Sequence, residues 1–126
     1  MAECCSGSLR MIFSCSGAAD LGELADRVAR QLTKEKKGNM SCLASLATGS
    51  KGLVLSAEAA EVVLALDGCG LDCTKKCLEQ AGVSTFRHVR LTDLGLKKGA
   101  TPVTDETLHQ VVEAVRPLLE GEVVRG

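Results

Sequence analysis

The chain has 126 residues, 45% of them hydrophobic, enough for one domain with a full core and no disulfide staples. Fifteen basic against sixteen acidic side chains give a net charge of −1, which excludes binding to DNA or RNA mainly through phosphates. Phe13 and Phe86 are the only aromatic residues, so there is no base-stacking platform, and no stretch reaches the roughly 18 apolar residues of a membrane span.

Residues 1–8 (MAECCSGS) are small and polar and read as a flexible tail, leaving 9–126 as a single domain. Leu9 to Ser14 is a candidate buried strand. Ala18 to Lys37 follows with apolar Leu21, Leu24, Ala25, Val28, Ala29 and Leu32 at helical spacing, and Gly38 is a stop. A second strand is expected at Met40–Ala44, then a Gly/Ser stretch from Thr48 to Gly52. Ser56 caps a short helix, Ala57 to Glu61. Val62 to Leu66 is the clearest buried strand and ends at Asp67-Gly68-Cys69-Gly70. Asp72 caps the next helix, Cys73 to Ala81, stopped by Gly82. Phe86 to Leu91 alternates like an edge strand, a Gly/Lys loop covers Gly95 to Pro102, and Thr104 caps a last helix. Strands alternating with helices predict a small three-layer open α/β sandwich. Its sheet is four-stranded and mainly parallel, with helices on both faces.

Seven cysteines is a high and odd number. Secreted disulfide scaffolds are smaller, loop-rich and even in cysteine, and residues 1–13 hold no apolar run of signal-peptide length. A cytoplasmic location is expected, where cysteine clusters bind metal or do redox work. In a parallel sheet the residues just past the strand ends share one edge, where ligands bind. Cys15, Cys42 and Cys69 fall at or after the first three strands and converge there. Cys73 lies four residues beyond Cys69, with Cβ atoms about 5–6 Å apart if both are helical. Tetrahedral zinc needs sulfurs about 3.8 Å apart, which such a pair can supply. Four thiolates without a cation would repel one another, and a tetrahedral Cys4 metal site is the economical solution.

Three segments carry a resemblance: Ser14-Cys15-Ser16-Gly17-Ala18-Ala19-Asp20-Leu21-Gly22, Met40-Ser41-Cys42-Leu43-Ala44, and Leu66-Asp67-Gly68-Cys69 with Asp72-Cys73-Thr74-Lys75-Lys76. They resemble the DGC-domain family, named for its central Asp-Gly-Cys and described as zinc-binding through four cysteines. Thr92-Asp93-Leu94-Gly95-Leu96-Lys97-Lys98-Gly99 also looks like the family's, and the resemblance runs from about Leu9 to Val115. It implies that Cys15, Cys42, Cys69 and Cys73 are the ligands. Gly70 stands where many relatives would have Pro, and Cys77 is an addition.

Cys77, one turn after Cys73, is a spare ligand or a residue buried in the core. Cys4 and Cys5 fall in the tail. Asp67 either supports the site from behind, through a ligand's backbone, or forms the turn. Asp20 reads as a partner of the helix dipole, His88 and His109 as surface or core histidines, and Lys97-Lys98 as a solvated loop. Four protein ligands leave no open coordination position, which favours structural, sensing or delivery roles over catalysis. The alternative is a redox protein, with the same thiols holding an iron–sulfur cluster or cycling through a disulfide. The expected partner is a metal ion, with no nucleic acid and no membrane.

Overall fold

A computed structural model describes residues 9–120. Four parallel strands form one sheet: β1 (Arg10–Ser14), β2 (Asn39–Met40), β3 (Val62–Asp67) and β4 (Arg87–Arg90), in the order β2-β1-β3-β4. This is the predicted parallel sandwich. Side chains alternate along the two central strands and split the core in two. Ile12, Val62, Leu64 and Leu66 face α1 (Asp20–Lys34), α5 (Asp105–Val115) and α6 (Pro117–Glu120). Met11, Phe13, Val63 and Ala65 face α2 (Leu43–Ala47), α3 (Lys51–Ala59) and α4 (Cys73–Gln80). Both faces of β3 are therefore covered, which is why it reads as a continuous apolar run.

The helix periodicity of the sequence is realised in α1, which buries Leu21, Leu24, Ala25, Val28, Ala29 and Leu32. Each leucine among them contributes about 1.5–3 kcal/mol by leaving water. The helix ends at Lys34, and the chain turns at Lys36 in a left-handed conformation. Thr104 caps α5, reciprocally with Thr107.

Two expectations are corrected. The second strand is only two residues long, and Leu43–Ala47, expected to begin as strand, is the helix α2. The next helix runs from Lys51 to Ala59 and is capped by Ser50, whose Oγ accepts from the Leu53 amide at 3.3 Å. It is not the Ala57–Glu61 helix expected from Ser56.

The strand order reverses between β1 and β3. The chain leaves β1 for α1 on one face and leaves β3 for α4 on the other. Such a switch point opens a crevice beyond the carboxyl ends of the strands, and Cys15 and Cys69 stand on its two sides. Among the described residues no helix is long and apolar enough to cross a membrane.

Candidate metal centre

The first turn of α1 gathers two cysteine-bearing loops. Cys15 continues the β1 ladder by donating its amide to the Leu66 carbonyl at 3.0 Å. Ser16 then takes a left-handed conformation (φ 49°). Its amide donates to Ser14 Oγ at 3.2 Å and its hydroxyl to Asp26 Oδ1 at 2.7 Å. A Cβ at Gly22 would lie 2.6 Å from the Gly17 carbonyl oxygen, and one at Gly68 would lie 2.9 Å from the Leu21 carbonyl carbon. Only glycine permits either approach. The loops after β1 and β3 are thus pressed onto consecutive residues of one helix.

The Cys69–Cys73 turn is held from β4. The Asp72 amide donates to the Cys69 carbonyl at 3.2 Å, and Asp72 is left-handed at φ 55°. Its carboxylate receives Arg90 Nε at 2.6 Å and Nη2 at 2.7 Å. That hydrogen-bonded charge pair holds the Asp72 carboxyl at about 2 and pushes the Arg90 guanidinium up.

Asp72 occupies the cap position of α4, but its side chain does not cap. Asp67 does so instead, 1% exposed. It accepts from the amides of Thr74 at 2.7 Å and Lys75 at 3.2 Å. His88 Nε2 completes its shell at 2.8 Å. The aspartate therefore meets the first turn of the helix that begins with Cys73, where a negative charge is favoured. Asp67 thus clamps the start of that helix.

Cys42 is the exposed N-cap residue of α2. The Ser45 hydroxyl, then the amides of Ser45 and Ala44, lower its thiol pKa. It shares a cleft of about 1030 Å³ with Cys15, Cys77, Met40, Arg30 and Lys34. Cys77 is half-buried, and burial, then the neighbouring Cys73 and Asp67, push its thiol up. Cys69 is half-buried and Cys73 exposed. Lys98 brings its Nζ to 3.7 Å from Cys69 Sγ. Its loop is tied to α1 by Asp20, which accepts from the amides of Gly99 at 2.9 Å and Thr101 at 3.0 Å. Asp20 is thus a loop anchor as well as a first-turn acid, and Lys98 reaches a candidate ligand instead of only facing water.

The structure brings Cys15, Cys42 and Cys77 around one cleft, while Cys69 and Cys73 lie outside its lining. Cys4 and Cys5 fall outside the described residues. Among the described residues, the trio of potential ligand atoms within 4.8 Å of one another is Asp67, Asp72 and His88, and no three cysteine sulfurs come so close. The oxygens of that trio are already taken by Thr74, Lys75, His88 and Arg90. The donors left for a cation are the thiols, a soft set that suits Zn²⁺.

Arg90 escaped the sequence reading, and His88 was expected only as a surface or core histidine. The signal was their spacing: two apart on a strand, they share a face, and Arg90 pairs in register with Asp67.

The DGC domain family matches residues 11–115. A relative, the anaerobic and virulence modulator AnvM of Pseudomonas aeruginosa, is 37% identical over 90 residues, which are 71% of this chain and 69% of AnvM. No solved structure matches.

Proposed function

The chain belongs to the DGC-domain family, and on that footing we propose that it binds one Zn²⁺ through Cys15, Cys42, Cys69 and Cys73. The supporting observation is topological. Cys15 and Cys69 follow adjacent parallel strands at a switch point, Cys42 follows the next strand of the same sheet, and Cys73 opens the helix after β3. A bound divalent cation would offset half of the thiolate charge and tie three chain segments together: the loop after β1, the start of α2 and the Cys69–Cys73 turn. The protein's own part would be to bring the sulfurs to one rim. Gly22 and Gly68 set the loops, Asp67 fixes the helix start, and Lys98 offsets negative charge at Cys69.

A closed Cys4 sphere suits sensing, delivery or a structural role rather than catalysis. The name of the relative AnvM, an anaerobic modulator, fits a thiol site whose state follows oxygen. So many free thiols also suit a reducing cytoplasm.

The test is metal quantification with an absorption spectrum on anaerobic, reduced protein reconstituted with zinc. One equivalent of zinc and a colourless solution are expected. Less than about a tenth of an equivalent of any metal would overturn metal binding. Visible thiolate-to-iron absorption in the protein as purified would favour the iron–sulfur reading.

A further inference from the structure

Five described cysteines surround four coordination positions, and they fall into two groups. Cys15, Cys42 and Cys77 line the cleft between α1 and α2. Cys69 and Cys73 stand outside it, on the turn locked by Asp72 and Arg90. Cys77 and Cys73 are one helical turn apart on α4, so their Cβ atoms are about 5–6 Å apart. The cleft is open and roomy, Met40 lines it together with the three cysteines, and Cys42 is exposed.

We infer that Cys77, with Cys15 and Cys42, forms a capture site for a thiophilic d10 cation in this cleft, from which the cation passes to the Cys69–Cys73 pair. This rests on the zinc-binding reading and gives the site an entry route. Among the described residues no three cysteine sulfurs lie within 4.8 Å of one another before capture, so capture draws the side chains inward, and exposed Cys42 is the free arm. Each sulfur loses its proton to water as it coordinates. When Cys73 replaces Cys77, one sulfur–cation bond forms as another breaks, and the proton released by Cys73 is matched by one regained by Cys77. Cys77 thus works in transfer and is absent from the resting ligand set.

Two measurements on the reduced 126-residue chain test this. In Cys77→Ser, the zinc endpoint stays at one equivalent and affinity stays within about threefold. The rate of zinc uptake from a coloured chelator complex, and of its return, falls by about tenfold or more. Unchanged rates would overturn the inference, as would loss of the equivalent, which would make Cys77 a permanent ligand.

The second measurement uses Co²⁺, whose charge-transfer absorption reports bound thiolates. Cys69→Ser/Cys73→Ser keeps one Co²⁺ with about three-quarters of the wild-type intensity, since three of four sulfurs remain. Adding Cys77→Ser leaves two cleft thiols and cuts that band to about half the wild-type intensity or less. A double variant that melts as wild type yet binds no Co²⁺, or a triple variant that keeps the double variant's intensity, counts against the capture site. If the double variant does not fold, the Cys77→Ser rates decide. A wild type that binds neither metal defeats the zinc reading itself, an outcome distinct from all of these.

Discussion

Arg90 meets Asp72 through two near-parallel hydrogen bonds, of 2.6 and 2.7 Å, and Asp72 sits in the left-handed region directly before Cys73. Entering that region costs a non-glycine residue energy, less for Asp and Asn than for most, and a surrounding contact helps hold it there. The guanidinium supplies that hold from an outer strand, and its fork cannot be copied by an ammonium group. Arg90→Lys is therefore expected to loosen the Cys69–Cys73 turn. Zinc affinity falls by about tenfold, as when a residue that orients a ligand is lost, while the fold survives. Chelator competition measures the first and circular dichroism the second. An affinity equal to wild type would show that the turn needs no such support.

Asp67 is the buried acceptor for two amides of α4 and for His88. Asp67→Ala leaves these donors without a partner in the interior. The expected loss is about 2–3 kcal/mol in urea unfolding, the range for hydrogen bonds to a charged group. Asp67→Asn keeps one carbonyl acceptor and loses less. Equal losses in the two variants would mean that charge and the second oxygen contribute nothing.

Gly68 carries a space requirement, because a Cβ there would meet the Leu21 backbone at 2.9–3.0 Å. Neither chain segment can give way cheaply, since both lead into the candidate site. Gly68→Ala is expected to cost about 1–3 kcal/mol, as overpacking does, and to weaken zinc binding by shifting Cys69. Gly70→Ala meets nothing within 4 Å and serves as the neutral control. Melting temperature and zinc stoichiometry together separate the two effects.

Acid should destabilise the protein through carboxylates whose folded state is held ionised by hydrogen bonds. The amides of Gly99 and Thr101 hold Asp20 below its ordinary 3.8, and the Gln31 amide and the Arg116 guanidinium hold Glu35 below its ordinary 4.5. Groups with depressed folded values stabilise fully above their unfolded values and lose that contribution as pH falls through the folded ones. Melting temperature is therefore expected to be level from about pH 7 to 5 and to fall below about pH 4. Asp20→Asn flattens part of that fall and raises hydrogen exchange at Gly99 and Thr101. A melting temperature independent of pH down to about 2.5 would contradict this.

Much of the scaffold was legible because its signals are local and redundant. The stripe of α1, the unbroken run Val62–Leu66 and the Thr104 cap each specify their element without distant help. The alternation of strands and helices then fixes the parallel order, and with it the rim that receives Cys15, Cys42 and Cys69. Asn39–Ala47 was harder, since a short apolar run suits strand or helix equally. Packing decided it, burying Leu46 against Phe13 and Leu78 in one cluster. Asp72 looked like the cap of α4 because it is adjacent in sequence, yet Asp67 caps from five residues earlier. Only the turn back from β3 to α4 makes that possible. The spacing of His88 and Arg90 puts them on one face, but their partners were hard to read for the same reason: Asp67 and Asp72 come from another strand and the loop after it.

The outermost strand also constrains how copies of this chain can exchange parts. Arg87 donates to the Leu118 carbonyl near the carboxyl end, His88 to Asp67, and Arg90 to Asp72. Peeling β4 away would unfasten α6 and α4 in the same event. A swapped dimer trading this border strand would have to break all three fastenings before any could re-form across molecules, so they raise the barrier to that exchange.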